Sequence, residues 1–278
     1  MKNIQSRTIL FITGAFVSTS CWDTWQDYFT NRGFKTLAPP WPYKERPAAT
    51  LRRTQPNAKI ASIRLKSLID HYSSIAKKLS ETPIVIGHSL GGLIVQILVN
   101  RGLAAAGVCI HALAPQGVIP TQFSFIKSTW RALGYFTSTR KAYMMSFKSW
   151  QYAFTNGMPL IAQRDGYNQF AIPESKLVLR DGLTSAAKVD FKKPHVPLLF
   201  VAGSIDHCIP AALNLKNVKR YKDKNSTTDF KEFEGRNHFV LGQPTWREDA
   251  DYIINWIGNS GSNVRIVNTN NRFTSKVV

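Results

Sequence analysis

Cysteine is scarce in this 278-residue chain: Cys21, Cys109 and Cys208 are the only three, and no C-x-x-C pair occurs. That excludes a disulfide framework and a cysteine-built zinc site, and it fits a reducing, cytoplasmic setting. Each cysteine reads as a small buried apolar residue. Acids are scarce too, 17 against 36 Lys and Arg, for a formal charge of +19. Long apolar runs are missing; none approaches the roughly 18–20 residues of a membrane span, so a soluble protein is expected. The N-terminal run at 9–12, with Lys2 and Arg7 ahead of it and Cys21 behind, resembles a lipoprotein leader only superficially, because Gly14 and Ser18-Thr19-Ser20 break it. A dinucleotide-binding G-x-G-x-x-G is absent as well: Gly14-Ala15-Phe16-Val17-Ser18-Thr19 holds a single glycine.

The chain has ample apolar mass, 44% hydrophobic and 12% aromatic, which argues against disorder despite the charge. The charge alone suggests nucleic acid. The basic residues are spread along the chain, however, with no helix-turn-helix, no RNP aromatic motif and no zinc spacing, so no nucleic-acid partner is expected.

Short apolar runs alternate with longer amphipathic stretches. Strands are expected at 8–13, 34–38, 83–88, 107–112, 197–202 and 228–232, and helices at 21–32, 60–79, 90–101, 210–220 and 245–257. This is an α/β pattern with a mostly parallel central sheet flanked by helices. Residues 116–193 interrupt the rhythm with an aromatic-rich stretch that reads as a helical insertion; 1–115 and 194–258 then form the core, and 259–278 a flexible basic tail.

The chemistry centres on Gly87-His88-Ser89-Leu90-Gly91-Gly92, a G-x-S-x-G between a strand and a helix. A serine on so tight a turn needs small neighbours two residues away on each side, and Gly87 and Gly91 supply them. Its hydroxyl becomes a nucleophile only beside a base, and the base needs a carboxylate to orient it. Asp206 follows the apolar run 197–202, and His238 follows the last strand candidate, in the order Ser, Asp, His. Competing readings are an N-cap role for Asp206 and a surface-loop role for His238. The oxyanion of a tetrahedral intermediate needs two backbone donors. Leu90 offers one, and Ala15, with Phe16 as second choice, the other.

These stretches, together with Phe11-Ile12-Thr13-Gly14-Ala15-Phe16 backed by Trp22 and Trp25, resemble the α/β-hydrolase superfamily in its lid-bearing esterase and lipase-like branch. The resemblance implies an α/β-hydrolase fold with a helical cap insertion, a Ser89–His238–Asp206 triad and an oxyanion hole from Ala15 and Leu90. It requires no metal and no cofactor. Thr13 stands where the family often has histidine, and is expected to keep a hydrogen bond there. Serine at the elbow argues against epoxide hydrolases and dehalogenases, which use aspartate.

For substrate, the aromatic insertion suggests an apolar acyl or lysophospholipid-like ester beneath a lid, with Phe16, His88, His111, Trp130, Tyr135, Trp150 and His207 as candidate pocket residues. Those aromatics could equally be the insertion's own core, and Met144-Met145 either pocket wall or gap filler. The stretch 117–193 carries 11 Lys and Arg against four acids, a surplus of seven, which invites transient contact with an anionic membrane surface. Thioester or amide cleavage, acyl transfer and a catalytically silent ligand sensor are the competing functions. Oligomeric state is left open.

Overall fold

A computed structural model describes residues 4–259. Six strands form one all-parallel sheet: β1 Thr8–Ile12, β2 Lys35–Leu37, β3 Ile84–His88, β4 Ala106–Ile110, β5 Leu198–Gly203 and β6 Thr228–Phe233, in the order β2-β1-β3-β4-β5-β6. The four central strands β1, β3, β4 and β5 are buried along their whole length. Strands covered on both faces need apolar residues at every position, which is why Ile84-Val85-Ile86 and Leu198-Leu199-Phe200-Val201 read as continuous runs.

Among the described residues, eleven α-helices accompany the sheet: α1 Asp23–Thr30, α2 Ala48–Arg53, α3 Ala58–Ala61, α4 Leu65–Lys78, α5 Leu90–Asn100, α6 Phe123–Leu133, α7 Phe147–Ala153, α8 Leu160–Phe170, α9 Lys176–Asp181, α10 Ala211–Val218 and α11 Trp246–Asn259. In one group α1 packs on α11: the Trp25 and Trp246 rings lie 5.7 Å apart, and the Tyr28 hydroxyl donates to Asp251. The other group centres on α5, which is buried from Leu90 to Val99. Its buried Gln96 amide accepts from Asn217 on α10 at 2.9 Å and donates to the carbonyls of Gly92 and Leu113, so a polar group inside the core is satisfied.

All six expected strands are present within a residue or two. The helix expected over 60–79 divides into α3 and α4. Arg64 is extended between them (φ −115°, ψ 152°), and its guanidinium forks onto Asp181 at 2.6 and 2.7 Å. The same carboxylate accepts the Leu65 N–H at 3.0 Å, capping α4 from a residue over a hundred positions away. No local pattern foretells that cap. The expected helix at 21–32 begins instead as a 3-10 turn over Thr19–Trp22. Between β4 and β5 the chain makes four helices, α6 to α9. The tail expected over 259–278 lies, from residue 260 onward, outside the described residues. Among those described, no helix is long and apolar enough to cross a membrane.

Candidate active site

Ser89 joins β3 to α5 with φ 58° and ψ −120°, a left-handed conformation that costs a non-glycine residue of order 1–3 kcal/mol. The crossing is tight: a Cβ on Gly91 would lie 2.1 Å from the Ile12 carbonyl oxygen, and one on Gly87 2.4 Å from that of Gly91. The turn is fixed by hydrogen bonds from the Ser89 N–H to the Ile110 carbonyl at 3.0 Å and from the Leu113 N–H to the Ser89 carbonyl at 2.9 Å.

Three loops meet at this point. The Ser89 hydroxyl lies 3.0 Å from His238 Nε2, and His238 Nδ1 lies 2.8 Å from Asp206 Oδ2. All three residues are buried. The β5–α10 loop turns on Asp206 itself, whose other oxygen accepts the N–H groups of Cys208 at 2.7 Å and Ile209 at 2.8 Å. The carboxylate thus orders its own loop while its Oδ2 faces His238; it does not cap α10, whose N-cap is Pro210. The histidine loop is clamped from two sides. Arg236 pairs with Asp249 at 2.8 Å and Glu248 at 2.5 Å on α11, and the Asn237 amide donates to the Asn156 carbonyl in the insertion at 2.9 Å. The Phe154 ring stands edge-on to His238 at 4.7 Å.

Two further histidines complete the cluster. His111, at the end of β4 with φ 46°, places Nδ1 2.7 Å from the same Asp206 oxygen that His238 uses. Burial alone would push the Asp206 carboxyl up; the charge of His238 and the hydrogen bonds from His111 and His238 outweigh it and hold the group well below the usual carboxylate range. His88 Nε2–H donates to the His238 carbonyl at 2.9 Å, which fixes its tautomer. Burial, then the neighbouring charges of His238 and His111, drive its pKa well below that of a free imidazole. His111, Asp206 and His238 could nominally ligate a metal. Their 2.7 and 2.8 Å separations are direct hydrogen bonds onto one oxygen, whereas ligands each ~2.0–2.2 Å from a zinc ion stand about 3 Å or more apart.

Opposite Ser89 runs the loop after β1. A Cβ on Gly14 would come 2.7 Å from that of Ser89, so the backbone approaches as closely as it can. The N–H groups of Ala15 and Leu90 donate to no protein acceptor among the described residues, and both residues are buried. The Phe16 N–H is engaged: it donates to Glu174 Oε2 at 3.1 Å, which removes the second choice for an oxyanion donor. Thr13 Oγ1 makes no hydrogen bond among the described residues, contrary to expectation. Instead the Trp41 indole donates to the Thr13 carbonyl at 3.1 Å, and Glu174 pins Phe16. Glu174 is fully buried and bonded through both oxygens to Lys44 Nζ at 2.6 Å. Burial pulls the Lys44 amine down, partly offset by Glu174.

A cavity of about 310 Å³ lies close to the triad without including it: Leu113, whose N–H meets the Ser89 carbonyl, and Cys208, whose N–H meets Asp206, stand in its wall, and neither Ser89 nor His238 does. Phe16 and Leu113 form its near end, with Phe125, Met145, Leu183 and Cys208 among the other walls, and no lining residue is charged. Of the seven candidate pocket residues, Phe16 alone lines it. His88 and His111 are buried in the hydrogen-bonded cluster behind the serine. Trp150 is fully buried between Phe154 and Tyr167 of the 116–193 stretch and Phe239 of the histidine loop. His207 turns to the Tyr152 carbonyl at 3.0 Å. Trp130 and Tyr135 face solvent. Met145, one of the doubtful pair, is cavity wall. Cys21 and Cys109 are buried and Cys208 half-buried, all as free thiols that burial pushes up in pKa. Sequence reasoning missed Glu174 and Lys44; their only signal is that Glu174 is one of four acids in the 117–193 stretch.

The model of the alpha/beta hydrolase family matches residues 9–250, and the chain belongs to that family. No curated protein matches it in sequence. Among solved structures it is similar to the monoacylglycerol lipase of Paleococcus ferrophilus, at 19% identity and TM-score 0.65, with 91% of this chain and 94% of that one covered. An extracellular alpha/beta-hydrolase from a Paenibacillus species gives 18% and 0.65, covering 89% and 98%. A methylesterase from Arabidopsis gives 14% and 0.62, covering 90% and 98%.

Proposed function

We propose that the protein is a serine hydrolase that cleaves carboxylic esters with an apolar acyl group. The observation that carries this reading is the unbroken chain Ser89 Oγ–His238–Asp206, with Ser89 on a strained turn beside two unengaged amides. Ser89 Oγ attacks the ester carbonyl while His238 Nε2 takes its proton. The carbonyl oxygen becomes an oxyanion held by the N–H groups of Ala15 and Leu90, the latter at the positive end of α5. Collapse expels the alkoxide, which leaves as alcohol with the proton from His238. Water then attacks the acyl-enzyme by the same steps in reverse roles. Asp206 keeps His238 in the tautomer whose Nε2 accepts the serine proton, and compensates the imidazolium as it forms.

The insertion acts as a cap that supplies most of the cavity wall, and the acyl group occupies that cavity. Its volume sits at the small end of the ~300–1,000 Å³ usual for ligand sites, so acyl chains of modest length are preferred. Monoacylglycerol lipase and methylesterase neighbours are consistent with an ester bond. The same triad would serve a thioester or amide, and would transfer the acyl group if an alcohol replaced water. A reducing compartment suits the three free thiols. The test is hydrolysis of p-nitrophenyl esters from C2 to C16: turnover peaks at short-to-medium chains and is abolished in Ser89→Ala. Full turnover by Ser89→Ala would refute the mechanism, and a flat acyl profile the assignment of the cavity.

A further inference from the structure

Helix α6 has apolar residues on two faces, of which only one is covered. Toward the protein, Phe125, Ala132 and Leu133 line the cavity. Toward solvent stand Phe123, Ile126 and Trp130, three and four residues apart and therefore on one side of the helix. The segment after α6 continues this surface with Phe136, which shares a shallow depression with Trp130 and Tyr135: Phe123 is 75% exposed and Phe136 90%. The Trp130 ring meets Tyr135 at 6.1 Å, so the exposed aromatics run from the helix onto the following turn. Contiguous apolar surface of this kind, left open, marks an interaction site.

Charge on the same stretch has one sign. Between Gly117 and Arg164 stand Lys127, Arg131, Arg140, Lys141, Lys148 and Arg164, all exposed, and not one acid. None of the six forms an ion pair among the described residues, whereas Arg64, Lys66 and Arg101 elsewhere on the surface each face a carboxylate. Lys127 and Arg131 directly follow Ile126 and Trp130 in α6. A second copy of the chain would bring like charge against like across this face. An anionic bilayer satisfies both halves of the pattern: aromatic and aliphatic side chains enter the boundary between headgroups and acyl chains, while lysine and arginine meet the headgroup charge, at about 1 kcal/mol each.

We propose that the outer face of α6, extended by Phe136, docks on an anionic lipid bilayer. One helix, ~10 Å thick, then separates the bilayer from the acyl cavity. Delivery of a lipid ester to Ser89 rests on the esterase reading above; the docking itself does not.

The test is co-sedimentation of the full chain with phosphatidylcholine vesicles containing 0 or 30% phosphatidylserine, in 0.1 and 0.5 M salt. Expected are binding to the anionic vesicles, at least ~10-fold weaker binding to the neutral ones, and a fall with salt. Phe123→Ser/Phe136→Ser should lose ~10-fold or more in vesicle affinity while keeping the parent's melting temperature and its turnover of a soluble short ester. Arg265→Gln/Arg272→Gln/Lys276→Gln, which neutralises the C-terminal charges, should retain most of the binding. The proposal is overturned by an absence of anionic-vesicle binding, by binding lost only in the C-terminal variant, or by a dimer in solution that the Phe123/Phe136 variant dissolves. Ser89→Ala should sediment like the parent. Its loss of turnover reports on the esterase reading alone, so the two proposals fail separately.

Discussion

The histidine cluster around Asp206 and the apolar cavity near it are built in opposite ways. In the cluster, Asp206 accepts four hydrogen bonds, two from backbone N–H groups and two from His111 and His238, and His88 supports the carbonyl of His238. In the cavity, the wall is apolar apart from a few uncharged polar groups and offers volume rather than direction. Under the proposed esterase reading the difference separates two tasks. Directional bonds fix where protons go, and one lost donor is felt at once. Apolar volume selects the acyl group, and tolerates substitution as long as the space is kept.

The largest effect that comparison predicts is on the buried side. His238→Ala lowers kcat about 10⁴–10⁶-fold, and Asp206→Asn, which leaves the geometry but upsets the tautomer, about 10³–10⁴-fold, both measured in single-turnover assays. Cavity substitutions of similar size, such as Leu183→Met, change the acyl profile by less than ~10-fold.

Next comes Glu174, which joins the two regions through the Phe16 N–H. Glu174→Gln strands the Lys44 ammonium in the interior, and thermal unfolding should show a loss of about 3–5 kcal/mol. The double replacement Lys44→Met/Glu174→Leu should regain most of that stability yet show a lower kcat than the parent, because only then does the Phe16 N–H lose its acceptor. Parent-like stability and kcat together would assign the pair to stability only.

His111→Phe keeps the ring and removes one of the four donors to Asp206. A drop of ~10-fold in kcat/KM is expected, because Asp206 loses a donor and orients His238 less firmly. A parent-like kcat/KM would mean that His111 is only packing.

The smallest effect concerns His88. Its pKa is depressed in the fold, so the unfolded chain binds the extra proton and stability is lost as pH falls below the free imidazole value of about 6.5. His88→Phe removes that uptake, and urea titrations should show a shallower decline in stability between about pH 6.5 and 5.

Much of the candidate site is legible because its residues sit at the ends of strands that periodicity finds easily. Gly87 and Gly91 announce the elbow, and Asp206 and His238 follow strands in the expected order. What stayed hidden depends on partners distant in sequence. Nothing near Arg64 reveals that Asp181 will cap α4, and nothing near Phe16 that Glu174 will occupy its amide. In the sequence His111 reads as a pocket residue because it follows a strand candidate. The φ of 46° that turns it under Asp206 leaves no local trace. Trp130 and Trp150 have the same composition signal, yet one is exposed and the other buried, because helix phase in the insertion is set by tertiary packing.

The central claim is that Ser89 is the nucleophile of an acyl-transfer reaction. Reaction of the full chain with a fluorophosphonate probe, followed by peptide mapping, tests it most directly. The account predicts one stoichiometric adduct on Ser89, abolished in Ser89→Ala and strongly slowed in His238→Ala. A folded protein that takes no label, or is labelled at another residue, would contradict it.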